Sequence, residues 1–260
     1  MNQILRPFLL LALLGVLFFS SCETQISTGG GTAARFAQGP PDRPGLGTKW
    51  GETRESRVGL TTFKRADPAH PIVTARLYYN EAAGIRSMAG AAAWNRSWPI
   101  LPSPAASLIS VGLKDRYGWF LPGLMVGDRW FVIGEEGRRY SIFVRNRSDL
   151  RLEIVLSVDG LDVLDGKKAS VGKHGYIMAP RSQLKVEGFR QSTEAVAAFR
   201  FGSVRESYAN EKYQNTQNVG VIGVAVFNER GTNPWTDVEV QKRLGANPFP
   251  GRFAAPPEFV

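Results

Sequence analysis

The sequence predicts an all-β fold, an antiparallel β-sandwich or partly open barrel with one or two short helices. Three observations lead there. Apolar and polar residues alternate with period two in short stretches after residue 70. Glycine (28 residues) and proline (16) recur often enough to favour many turns over long regular elements. No stretch of the folded part sustains the 3.6-residue period of a long helix. With 260 residues, 43% of them hydrophobic, the chain has the material for one sizeable core.

The first segment, residues 1–21, reads as an export signal. Arg6 precedes an unbroken apolar run from Phe8 to Phe19, which as a helix spans only about 18 Å against roughly 30 Å of bilayer hydrocarbon. Ser20-Ser21-Cys22 follows at once. Small residues before a cysteine resemble the lipobox of bacterial lipoproteins, in which the thiol receives a diacylglycerol and the signal is cut just before it. The lipobox usually has Leu three residues before the cysteine, where this chain has Phe19. Cys22 is the sole cysteine, so no disulfide is available and stability must come from packing. Residues 22–60 are expected to form a lipidated N-terminus and a flexible tether, because the Gly29-Gly30-Gly31 and Gly39-Pro40-Pro41 stretches cannot bury enough apolar surface to order themselves.

Residues 61–230 are expected to hold the β domain. Strand candidates are Ile72–Tyr79, Ser107–Leu113, Trp130–Ile133, Gly175–Met178, Gln183–Gly188 and Ala195–Phe201. Tyr140–Arg145 and Arg151–Val158 flank the polar turn Asn146–Asp149 and predict an antiparallel hairpin, with Arg151, Glu153 and Ser157 on its wet face. Val219–Phe227 is apolar on both faces and predicts a central strand, Gly220 and Gly223 admitting a neighbouring backbone. Ala82–Trp94 is an alanine-rich helix candidate weakened by Gly84 and Gly90. In residues 231–260, Thr236 and Glu239 match a capping box and Gly245 a helix stop, ahead of a proline-broken tail.

The net charge of +9 is compatible with anionic partners. The acids are mixed among the bases with no concentrated basic run, which argues against nucleic acid. Asp159, Asp162 and Asp165 are spaced by three, but they lack the order of an EF-hand loop and read as turn formers. His70 and His174 stand in separate loops with no partner at ligand spacing. Neither a Gly-x-Ser-x-Gly elbow nor a Cys-His pair is present. The expectation is therefore no metal, no cofactor and no catalytic set, with an enzyme the less favoured reading. The residues singled out for ligand contact are aromatic side chains and one arginine beside them: Trp94 and Trp98 in Trp-Asn-Arg-Ser-Trp, and Arg116, Tyr117 and Trp119 ahead of Trp130.

Between Arg139 and Glu229 the blocks Val155-Leu-Ser-Val-Asp-Gly-Leu-Asp-Val-Leu164, Gly188-Phe189-Arg190-Gln191-Ser192 and Asn218-Val-Gly-Val-Ile-Gly-Val-Ala-Val-Phe227 stand in sequence. Together they resemble a family of uncharacterised exported proteins found mainly in proteobacteria. The resemblance covers a little over a third of the chain and implies no activity. The expectation is an envelope lipoprotein anchored through an N-terminal lipid, at the outer membrane in a Gram-negative host. Its β domain would be non-enzymatic and would bind or assemble with a protein partner. The alternative is a domain that binds or processes glycans, anionic ones included, through the aromatic region from Tyr117 to Trp130.

Overall fold

The computed structural model describes residues 43–89, 95–97, 108–126, 129–232 and 237–247. In chain order its elements are β1 (Leu46–Glu55), β2 (Val73–Asn80), α1 (Ala82–Ala89), β3 (Asn95–Ser97), β4 (Ile109–Asp115), β5 (Gly123–Val126), β6 (Arg129–Ile133) and β7 (Arg139–Asn146). They continue with β8 (Leu152–Val158), β9 (Leu161–Asp162), β10 (Tyr176–Met178), β11 (Gln183–Val186), β12 (Gly188–Arg190), β13 (Ala195–Ser203), α2 (Tyr208–Tyr213), β14 (Val221–Asn228) and α3 (Asp237–Leu244).

These strands form two sheets, as a β-sandwich requires. In the first, β1 pairs with β13, β13 with β12 and β7, and β7 with β11 on one edge and β4 on the other. The second runs β10-β8-β14-β2-β6-β5-β3, with β9 also on β8. Its β2–β6 pair is parallel; the other pairings are antiparallel. β14 is central, as its two apolar faces predict. Its one glycine, Gly223, makes room for the Ser157 side chain, whose Oγ would lie 2.6 Å from an added Cβ. The core lies between the sheets, with Leu77, Trp130, Ile154, Leu156, Ile222 and Val224 facing Val111, Ile142, Val144, Phe199 and Phe201.

Three sequence expectations are corrected. The tether does not extend to residue 60, because Leu46–Glu55 is a ten-residue strand on β13. Its polar text hides it. The strand forms through close approach instead, since a Cβ on Gly51 would lie 2.5 Å from the Ala198 carbonyl oxygen. The expected hairpin is also absent: β7 belongs to the first sheet and β8 to the second, so the turn between them is an arch joining the layers. Asn146 builds that corner. Its buried amide donates to the carbonyls of Leu150 (2.7 Å) and Ala179 (2.9 Å) and accepts from the Ser148 N–H and hydroxyl, using its full bonding capacity.

Nor is Glu153 on a wet face, for only 2% of it is exposed. The Arg65 Nε donates to it at 2.6 Å and the Gly175 N–H at 2.7 Å. The Arg65 guanidinium also lies 3.7 Å from the centre of the Phe227 ring and donates to the carbonyls of Val171 and Lys173. This pair pins the segments around Arg65 and Gly175 over the outer side of β8 and β14. Arg65→Met, which strands the carboxylate, is expected to cost about 3–5 kcal/mol in urea unfolding.

A polar chain crosses the interior between the sheets. The Asp159 carboxylate accepts from the Thr48 N–H (2.8 Å), the Gly220 N–H (2.9 Å) and the Tyr79 hydroxyl (2.5 Å). Thr48 Oγ1 lies 2.7 Å from both tyrosine hydroxyls, of Tyr79 and Tyr140. Each hydroxyl has one proton, so the chain runs from Tyr140 to Thr48 to Tyr79 to Asp159. Burial pushes the Asp159 carboxyl up to about 6, against the pull of its donors, and raises both tyrosines. On the outer side of the first sheet, Glu52 meets Arg200 (2.8 Å) and Arg139 (3.0 Å), and these bonds hold its carboxyl down at about 2.

The two acids act in opposite directions. Asp159 holds its proton more tightly in the folded than in the unfolded chain, so stability falls by roughly 3 kcal/mol as pH rises from about 4 to 6. Glu52 contributes stability above its ordinary value of 4.5 that is lost as pH falls toward 2, in an amount reduced by solvent screening. Urea midpoints across pH should show both limbs, and Asp159→Asn should flatten the limb between pH 4 and 6. Tyr79→Phe should cost about 1–3 kcal/mol and extend the upper end of that limb to higher pH, because Asp159 loses a donor that favours its charged form.

Candidate binding surface

The loop after β4 is built by one aspartate. Asp115 Oδ1 accepts the N–H groups of Tyr117 (2.8 Å) and Trp119 (2.9 Å), and its backbone bonds Gly118 (3.1 Å) and Trp119 (2.8 Å). Gly118 takes φ +90°, open only to glycine without strain. Beyond the loop, Leu121 N–H reaches the Leu113 carbonyl at 2.9 Å and Phe120 bridges to Lys114, closing a hairpin. The Lys114 ammonium caps the Phe120 and Phe143 rings at 4.5 and 4.2 Å.

On this braced loop Tyr117 is 65% and Trp119 75% exposed. The Arg116 guanidinium lies over the Tyr117 ring, 4.4 Å from its centre, and contacts its hydroxyl. The structure therefore gathers Arg116, Tyr117 and Trp119 on one exposed turn. Trp130 is separate: it is 3% exposed and packs in the core. Trp94 and Trp98 lie outside the described residues, as does Cys22.

Exposed rings cost solvation, and a loop held by four bonds has already given up its conformational freedom. Such a loop offers aromatic contact area with little further entropy to lose on binding. Its chemistry suits a protein surface or the face of a sugar ring. The signal in the sequence was the Arg-Tyr-Gly-Trp text; the bracing by Asp115 was not anticipated.

The three spaced aspartates do not converge. Asp159 is in the interior chain, Asp162 Oδ1 caps the N–H groups of Leu164 and Asp165, and Asp165 pairs with Lys173 at 2.8 Å. Burial raises the Asp162 carboxyl, and its Oδ2 has no partner among the described residues. His70 pairs with Asp67 at 2.9 Å on the surface. His174 is exposed, with Nδ1 3.7 Å from Glu153, and borders a cleft of about 710 Å³ lined by Leu164, Tyr176, Ile177 and Leu184. Both Glu153 oxygens are already engaged there by Arg65 and Gly175. Among the described residues no three His, Cys, Asp or Glu side chains gather as a metal site, and no helix is long and apolar enough to cross a membrane.

No protein-family model, curated protein or solved structure matches this chain.

Asp115→Ala should free the loop without unfolding the sandwich. Amide exchange at Tyr117 and Trp119 is expected to quicken severalfold, with about 1 kcal/mol lost in global stability.

Proposed function

We propose that this chain is a membrane-tethered envelope lipoprotein whose β-sandwich is a binding module for a protein partner, engaged through the loop at Arg116–Trp119. The tether half of this reading rests on the leader and lipobox-like text ending at Cys22. With Glu23 rather than aspartate after that cysteine, the outer membrane is the expected address in a Gram-negative host. The binding half rests on one observation, two exposed aromatic rings and an arginine on a turn fixed by Asp115. Those residue types dominate interface hot spots. The same rings beside Arg116 also fit the face of an anionic sugar, and this is the alternative to separate.

A photo-crosslinking residue at position 119, in cells, is expected to trap a protein partner. Tyr117→Ser with Trp119→Ser should abolish partner binding by the purified protein while changing stability by less than about 0.5 kcal/mol. A tryptophan fluorescence response to anionic polysaccharide, without any trapped protein, would favour the glycan reading. Cys22→Ser should move the protein from membranes to soluble fractions and remove palmitate labelling.

A further inference from the structure

The outer face of the second sheet carries a pair of cations that no carboxylate matches among the described residues. Side chains at Ile72, Thr74 and Arg76 share the outward parity of β2, since Ala75, Leu77 and Tyr79 point into the core. On β6, Trp130 points inward and Arg129 outward by the same rule. The parallel register sets Leu77 beside Trp130, so Arg76 and Arg129, one residue earlier on each strand, stand side by side. Both are exposed, and among the described residues neither meets a carboxylate or another hydrogen-bonding partner.

Like charges on adjacent strands repel, and the positions flanking Arg76, namely Thr74, Tyr78, Gly223 and Arg129, supply no carboxylate. Along the row across the sheet, Gly223 and Ser157 follow, and the first acid is Asp162 on β9, which is buried. Beside Arg76 lies a shallow groove of about 260 Å³, with Thr74, Ser157 and Ser170 offering hydroxyls. Val171, which also lines it, is 43% exposed, and Ile72, just before β2, is 42% exposed.

We infer that this face lies against an anionic phospholipid surface, with Arg76 and Arg129 on lipid phosphates and Ile72 and Val171 at the headgroup boundary. Charge complementarity names the phosphate, and the exposed aliphatic side chains beside the arginines name a lipid as its source. The inference deepens the membrane half of the proposed function by stating which face meets the bilayer.

The test uses the full chain with Thr74→Cys labelled by nitrobenzoxadiazole, the equally treated unsubstituted chain being the blank. It is mixed with phosphatidylcholine vesicles with or without phosphatidylglycerol. The label is expected to brighten and blue-shift only with phosphatidylglycerol, reversibly in high salt. Arg76→Gln with Arg129→Gln should weaken that response roughly thirtyfold, about fivefold for each side chain. A response equal on neutral vesicles, none on either, or one that survives both substitutions overturns the inference. So does binding to dextran sulfate without any vesicle response. Co-sedimentation is scored separately. A chain that pellets with neutral vesicles but gives no phosphatidylglycerol response keeps its anchor and loses this face, and one that pellets only with phosphatidylglycerol does the reverse.

Discussion

A carboxylate in the interior of a protein must find donors or lose its charge, and Asp159 finds them by drawing separate parts of the chain together. Its three donors come from β1, from β2 and from the residue before β14, while Thr48 passes the connection on to β7. The two sheets are thereby cross-linked by directional bonds inside a core whose other contacts are non-directional. Aromatic rings close around the link: Tyr140 stacks on Phe201 at 4.3 Å, and Tyr79 lies 5.4 Å from the same ring. Protonating Asp159 on Oδ1 would reverse every hydroxyl in the chain and leave Tyr140 without an acceptor. The low dielectric favours the proton and the hydrogen-bond order opposes it. Asp159 also takes φ +55°, a conformation that few side chains other than Asn and Asp adopt readily.

The outer face of the second sheet shows a different solution. Near α1 it is covered by Ile85, which packs on Leu124 and Phe131. Toward the ends of β8 and β14 it is covered by the Arg65–Glu153 pair above Val155, Ala225 and Phe227. Between these covers the small residues Gly223 and Ser157 leave a strip uncovered, and there the charge of Arg76 is unbalanced. Among the described residues the same fold thus matches one arginine with a buried carboxylate and leaves another, on β2, with none.

How much of this was written in the sequence depends on which forces acted. The β class and most strands followed from alternation, and β14 was identifiable as central because both of its faces are apolar. Alternation says nothing about which sheet a strand joins, so β7 and β8 looked like neighbours although Asn146 turns the chain from one layer to the other. Alternation also ranks Glu153 as wet, since its partner Arg65 is 88 residues away in sequence. β1 was missed because its pairing depends on glycines meeting β13 rather than on its own side chains. In the aromatic loop, the identity of the rings was legible; the exposure of Trp119 and the burial of Trp130 were not, because both depend on packing.

β1 has one more consequence. Its first turn of ladder is reinforced from the side away from β13, where Asn80 Oδ1 accepts the Leu46 N–H at 3.0 Å and Asp159 Oδ2 that of Thr48. Within and beyond the irregularity between Trp50 and Thr53, the strand carries Glu52, Arg54 and Glu55, charges that discourage a foreign strand from adding to it. Any mechanical load on the chain ahead of residue 43 enters the sandwich at this clamp. Tension there must break two side-chain latches along with the first rungs of β13, so the fold is reinforced where pulling from its N-terminus would begin.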